Sequence, residues 1–257
     1  MEGNWLPMPR YKLRRDLVKR MLLTDPVWGK TCLEFGYGSG DMLLLFASLG
    51  LCAFGFDISK TALDNARLRI EQHPALEGRI RLAENKTELC GRRYDYIMAF
   101  EVLEHVEDDL SCIREWWNLL NESGKLIISV PAHQSKWGGN DVATGHYRRY
   151  ERAGMRDLLA CGGFKITCFW NYAYPLSILL DVFLQKRTLD ESEKGLSREE
   201  LTKQSGIRRK RNIFTRLASS DFFLAPFLVL QRFFLEKDLS SAFLVVAERL
   251  PRSGMSR

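Results

Sequence analysis

Between residues 31 and 130 short β-forming runs alternate with helical patterns, and this alternation narrows the fold more than any other feature of the chain. TCLEF (31–35) passes through a glycine-rich turn into DMLLLFASL, and CAFGF (52–56) passes into KTALDNARLRIEQH. RIRLA (79–83) follows. YDYIMAF (94–100) leads to a helix with apolar positions at Leu110, Ile113, Trp116, Trp117 and Leu120, and GKLIISV (124–130) comes next. Strands separated by helices are joined by crossovers, which wind a mostly parallel sheet with helices on both faces. Ser59 is placed to cap one helix and Gly124 to stop another.

After residue 130 the pattern changes. VPAHQSKWGGNDVATGHYRRYE reads as a long loop at a strand end, RAGMRDLLACGGF as a helix, FKITCFW (164–170) as a strand and SAFLVVAERL (241–250) as the last strand. Roughly seventy residues lie between those two strands, far beyond ordinary loop length, so this insertion must carry structure of its own. A basic helix candidate, Arg10 to Leu23, precedes the first strand. A length of 257 residues suits one α/β domain with an appendage.

Composition serves mainly to exclude. Apolar residues at 46% and charged residues at 27% are the balance of a folded protein. The six cysteines form no C-x-x-C pair and several sit in apolar runs, as expected of reduced thiols in the cytoplasm. No signal-peptide core is visible near the start, and the uncharged stretch Ile166 to Leu180 is shorter than the ~20 residues of a spanning helix. The net charge of +6 is concentrated: residues 186–216 hold ten Lys/Arg against five Asp/Glu. With the remainder near neutral and no RNA-binding motif present, a nucleic-acid partner is not expected.

The strongest chemical signal is Glu34-Phe-Gly36-Tyr37-Gly38-Ser-Gly40-Asp41, directly after a strand and opening a helix. Glycines there let backbone approach a ligand where a Cβ would clash. Asp57 ends the second strand, where a carboxylate can accept hydrogen bonds from ribose hydroxyls. In a dinucleotide fingerprint, G-x-G-x-x-G, the third glycine would come one residue later, and here an acid precedes the first.

The series LEFGYGSGD, FGFDIS, YDYIMAFEVLEHVEDD and LLNESGKLIISVP resembles the successive motifs of class I S-adenosylmethionine-dependent methyltransferases, over residues 31 to 170 and in family order. The resemblance implies a Rossmann-like seven-stranded sheet whose last strand, SAFLVVAERL, is antiparallel. It implies that Glu34, Gly36, Tyr37, Gly38 and Gly40 cradle the methionine part of S-adenosylmethionine, that Asp57 holds the ribose and that Ile58 flanks the adenine. Glu84 or Asn85 would approach the adenine edge, and Phe100 and Glu101 would lie beside the cofactor. NWLPMPRYKLRRDL with VPAHQSKWGGNDVATGHYRRY resembles a bacterial-type subgroup of small-molecule methyltransferases. In that subgroup an N-terminal helix, here residues 1–30, covers the cofactor and brings Tyr11 and Trp5 over it. The core is then 31–170 with 241–250, and the insertion is 171–240.

The implied reaction is an in-line displacement in which an acceptor oxygen, nitrogen or carbon attacks the sulfonium methyl. Such chemistry needs alignment and exclusion of water, and a base only if the nucleophile must lose a proton. His73 reads as a surface residue, whereas His105, His133 and His146 fall at or after strand ends on the ligand side. His133 and His146 are favoured as acceptor-side residues, neither as sole base, while His105 could equally anchor a loop. Glu101-x-x-Glu104-His105 is similar to segments that hold a divalent cation in ubiquinone-pathway O-methyltransferases and small-RNA 3′-end methyltransferases, although the commoner use of this segment is metal-free and no metal is assigned.

Two readings of the insertion stand. NYAYPLSILLDVFLQKR and SSDFFLAPFLVLQRFFLEKDL, which flank Arg208-Arg209-Lys210-Arg211, either pack on the main domain or form a lid for a small hydrophobic or lipid-linked acceptor, touching the inner membrane surface peripherally. Competing functions are a nucleotide-dependent oxidoreductase, which the glycine spacing disfavours, and a binding module that keeps the pocket without transfer.

Overall fold

The computed structural model describes residues 7–185, 195–205 and 220–251. Seven strands form one sheet: β1 Thr31–Phe35, β2 Cys52–Phe56, β3 Ile80–Ala83, β4 Tyr94–Phe100, β5 Leu120–Pro131, β6 Phe164–Asn171 and β7 Ala242–Arg249. Their order is β3-β2-β1-β4-β5-β7-β6, and all pairings are parallel except those of β7, which runs antiparallel to both β5 and β6. The direction of the chain's topological reversal lies at β1/β4, so the carboxyl ends of β1, β2, β4 and β5 share one edge, where α/β sheets bind ligands.

Helices cover both faces. Around the first half lie α1 (Pro9–Leu23), α2 (Asp41–Ser48), α3 (Lys60–Glu71), the single turn α4 (Pro74–Glu77) and α5 (Asp109–Leu119); α6 (Gly139–Thr144) and α7 (Arg152–Cys161) follow. Ser59 caps α3 by accepting from the Ala62 amide. One core joins α1 through Leu13, Leu17, Val18 and Leu22 to α2 and one sheet face, and a second gathers Trp116, Trp117, Met155 and Leu159 on the other. Central strands buried on both faces explain their unbroken apolar runs.

Two local expectations are corrected. Gly124 does not stop α5, because the helix ends at Leu119 and buried Leu120 already pairs with Tyr94 of β4. Instead Ser123 takes φ +61°, and a Cβ on Gly124 would come within 2.9 Å of the Asn121 carbonyl oxygen, so the glycine serves an irregular start to β5. The expected loop after β5 also contains helix α6 and a 3-10 turn at Gln134–Lys136.

Within the insertion the described elements are α8 (Leu176–Gln185), α9 (Arg198–Ser205) and α10 (Asp221–Leu230). Each apolar segment thus contributes one helix, α8 or α10, while Trp5 and the Arg208–Arg211 run lie outside the described residues. Among the described residues no helix is long and apolar enough to cross a membrane. The insertion leaves and rejoins the sheet at a narrow neck: buried Asn171 donates to the Ser240 carbonyl (3.2 Å) and accepts from the amides of Leu239 (3.1 Å) and Ser240. Asn171→Ala would strand these buried groups, at an expected cost of about 2–3 kcal/mol. Urea denaturation checks this, and an unchanged midpoint would contradict it.

Candidate active site

The glycine turn is built by three different demands. Gly36, Gly38 and Gly40 all have positive φ, at 66°, 55° and 74°. A Cβ on Gly36 would meet Val102 at 2.6 Å and one on Gly40 would meet Ala66 at 3.0 Å, so packing also excludes side chains there. At Gly38 a Cβ would meet nothing within 4 Å, and backbone is open to the edge of the sheet. Asp57 ties this turn to the end of β2: its two oxygens accept from the amides of Gly38 (2.9 Å) and Ser59 (2.8 Å). Burial raises its pKa, with those two hydrogen bonds opposing the rise. Tyr37 lies over Gly55 of β2, where a Cβ would strike its ring at 2.6 Å. Ile58, next to Asp57, remains exposed.

Glu34, at 3% exposure, stands at the root of this turn, and its Oε2 meets no hydrogen-bond donor among the described residues. Burial lifts its carboxyl to about 8, with Arg14 working in the opposite direction. α1 closes over the same region. Tyr11 hydrogen-bonds Asp41 in the first turn of α2, and Arg15 reaches the same carboxylate at 2.9 Å. Buried Arg14 lies 3.5 Å from Glu101 and 3.2 Å from Ser129, with its guanidinium 5.0 Å from the centre of the Phe100 ring. Glu101, at φ +58°, also accepts from Ser129 Oγ at 2.8 Å.

Glu84 and Asn85 follow β3, as expected, but both side chains are exposed and engaged. Glu84 pairs with Arg67, and Asn85 is tied to Glu88 at 3.0 Å and to Thr87. His73 is exposed, with Nδ1 on the Arg69 carbonyl.

On the acceptor side the chain gathers Glu104, His105 and His146, with one donor atom from each inside a span of 4.8 Å. Glu104 and His105 form a 3-10 turn just beyond β4, and His146 follows α6. Glu104 is fully buried and neither carboxylate oxygen meets a hydrogen-bond donor, so burial and nearby Glu101 raise its pKa well above the ordinary range. Burial beside His146 depresses His105 to about 3, so its imidazole is neutral. The two rings meet edge to face, 4.7 Å apart. His146 Nδ1 is 2.8 Å from Asp141 Oδ1, and Asp141, fully buried, also binds Arg149 at 2.9 Å and the Gly138 amide at 2.8 Å. Asp141 stays ionised, held down at about 2 against its burial by His146 and Arg149. Sequence reasoning missed Asp141; its signal was an acid five residues before the histidine.

This group differs from the one expected for a cation. Glu101 is engaged by Ser129 and Arg14, and His146 joins Glu104 and His105 instead. A carboxylate without donors and two imidazoles suit a divalent ion chemically, so the residues fit one. His133 stands outside the group, at φ +64°, with Nδ1 3.4 Å from Glu151 and Nε2 3.2 Å from Asp238.

A sequence profile described as "Methyltransferase domain" matches residues 9–168. The chain belongs to the class I S-adenosylmethionine-dependent methyltransferases. Similar relatives include ubiquinone biosynthesis O-methyltransferases from Aeromonas salmonicida, 31% identical over 134 residues (51% of this chain, 55% of the relative), and Vibrio campbellii, 33% identical over 138 (51% and 55%). The chain spans about half the length of those relatives. Among solved structures, a protein described as a sarcosine dimethylglycine methyltransferase from Galdieria sulphuraria superposes with TM-score 0.60 at 15% identity (93% of this chain, 87% of that one). Magnesium protoporphyrin IX methyltransferase from Synechocystis, solved with bound S-adenosylhomocysteine, gives 0.58 at 16% (94% and 85%). At that identity the likeness concerns the fold.

The residues of this site fit the family's cofactor. S-adenosylmethionine carries an ammonium and a sulfonium, and buried Glu34 offers an oxygen, Oε2, that no donor among the described residues hydrogen-bonds. Without ligand, Glu34 keeps its proton in the fold up to about pH 8 but loses it near pH 4.3 in the unfolded chain, so folding stability falls as pH rises between those values. Glu34→Gln is therefore expected to melt several degrees above the wild type at pH 8 and close to it at pH 5. Thermal denaturation of the ligand-free proteins checks this, and no gain at pH 8 would contradict it.

Proposed function

We propose that this protein transfers the methyl group of S-adenosylmethionine to a hydroxyl of a hydrophobic, lipid-like small molecule. The observation that carries the reading is the buried Asp141–His146 pair, set beside Glu104 and His105 at the sheet edge. The hydroxyl oxygen attacks the methyl carbon in line, the carbon–sulfur bond breaks, and S-adenosylhomocysteine leaves with the bonding electrons. Asp141 accepts from His146 Nδ1–H, which leaves Nε2 to take the proton from the hydroxyl. Glu34, Gly38 and Asp57 bind and orient the cofactor, while α1, through Tyr11 and Arg14, keeps water from the methyl group.

A second reading follows from the unmatched oxygens of Glu104: the same three residues hold a divalent cation. A cation there would acidify a hydroxyl bound to it. Incubation with methyl-labelled S-adenosylmethionine and a total lipid extract tests both. Label is expected in the organic phase, at least about 100-fold less with His146→Ala. Full transfer in chelator contradicts the cation, and full transfer by His146→Ala contradicts His146 in either role.

The lipid-like acceptor is supported by the insertion. Phe222 (94% exposed), Pro226, Val229 and Phe233 (74% exposed) follow helical spacing along α10 and the turn after it, and Ile178 and Leu179 are exposed on α8. The basic surplus of residues 186–216 complements an anionic bilayer. Sedimentation with phosphatidylglycerol vesicles is expected at low salt, and at least tenfold weaker for Phe222→Ser/Phe233→Ser. Equal sedimentation of both proteins, or none, would contradict this surface.

A further inference from the structure

The histidine cluster has a partner from a distant part of the chain. Thr202 lies on α9, within the insertion, and its Oγ1 is 3.0 Å from His105 Nδ1 across 97 residues of sequence. This contact sits in a close joint between α9 and α6. Gly145, which ends α6, has φ +77°, and a Cβ there would come within 2.7 Å of the Arg198 carbonyl oxygen, 3.2 Å of Thr202 Oγ1 and 3.3 Å of Leu201 Cβ. Leu201 is buried in the joint, and the Arg198 guanidinium lies 4.5 Å from the centre of the Tyr147 ring. Glycine at 145 thus meets two demands at once: the left-handed turn that ends α6, and backbone-to-backbone approach by α9. His146, the next residue, is the one whose Nδ1 is held by Asp141.

From this geometry we propose that α9 is part of the active-site wall and that Thr202 is a positioning residue, holding His105 Nδ1 so that Nε2 is the nitrogen His105 offers to the cluster. An imidazole with one nitrogen bonded to a fixed hydroxyl keeps one ring orientation, because turning over would break that bond; the hydroxyl can donate or accept, so it holds the ring rather than choosing the tautomer. The two histidines are then oriented by different parts of the fold. Asp141 sets His146 from within the core domain, whereas His105 is set by Thr202 of the insertion together with the backbone of Gly145. Docking of the insertion and alignment of the cluster become one event, so an acceptor that seats α9 also completes the site. This last consequence rests on the proposed acceptor site, whereas the positioning of His105 does not.

The test uses the full-length protein labelled with 15N at histidine. In the wild type the two His105 ring nitrogens are expected to give the well-separated signals of a single neutral tautomer. In Thr202→Val they should move toward averaged values, and Thr202→Ser should restore them. Leu201→Ala loosens the joint without altering Thr202 or Gly145, whose backbone also hydrogen-bonds His105: hydrogen exchange at the Thr202 and Lys203 amides is expected to quicken roughly tenfold or more, with His105 signals shifting as in Thr202→Val. Wild-type His105 signals in Thr202→Val, or in Leu201→Ala once α9 has lost protection, would overturn the proposal. Calorimetry with S-adenosylhomocysteine separates it from the proposed function: failure of the wild type to bind would defeat the methyl-transfer reading while leaving the His105 result to stand or fall alone.

Discussion

A carboxylate taken out of water must be matched by a cation, by donors or by a proton, and the architecture of this protein turns on two with oxygens that no donor among the described residues hydrogen-bonds, Glu34 at Oε2 and Glu104 at both. Glu34 ends up beneath the glycine turn because β1 is buried on both faces and delivers it there; Glu104 is buried because the turn after β4 folds under α6 and Tyr147, whose amide donates to the Glu104 carbonyl. Neither arrangement would persist in a protein selected for stability alone, since an apolar residue of similar size would cost less. Each carboxylate therefore points to what binds beside it: on one side a ligand carrying positive charge, on the other an acceptor, alone or with a cation.

The remainder of the site holds these groups still. Asp57 spends both oxygens on backbone amides, which locks the glycine turn to the end of β2. Asp41 gathers Tyr11 and Arg15 of α1 and so seats the covering helix on the first turn of α2. Asp141 does for His146 what Asp57 does for the turn, with Arg149 neutralising its charge. These three acids have partners within the chain, which fixes the parts of the site that they join.

The parts of the account that could be read from sequence were those in which a local requirement leaves a local mark. Positive φ at Gly36, Gly38 and Gly40 demands glycine, the buried parallel strands demand unbroken apolar runs, and Ser59 caps α3 from the adjacent position. Gly124 misled because a glycine after a helix is a common stop, and only the pairing of Leu120 with Tyr94 shows that the strand has already begun. Asp141 was hidden in a polar segment that looked like loop, and its role appears only once α6 folds and returns His146 to it. Thr202 left no mark at all, because its partner is 97 residues away and the contact exists only when the insertion docks.

The most direct test of the claim that Glu34 awaits a cationic ligand is calorimetric titration with S-adenosylmethionine at pH 7, in buffers of differing ionisation enthalpy. A carboxyl that holds its proton up to about pH 8 in the free protein should give up most of that proton when a cation settles beside it. Saturable binding with net release of most of one proton per site, lost in Glu34→Gln, is the expected result. Binding with no proton released, or the same release from the variant, would contradict it.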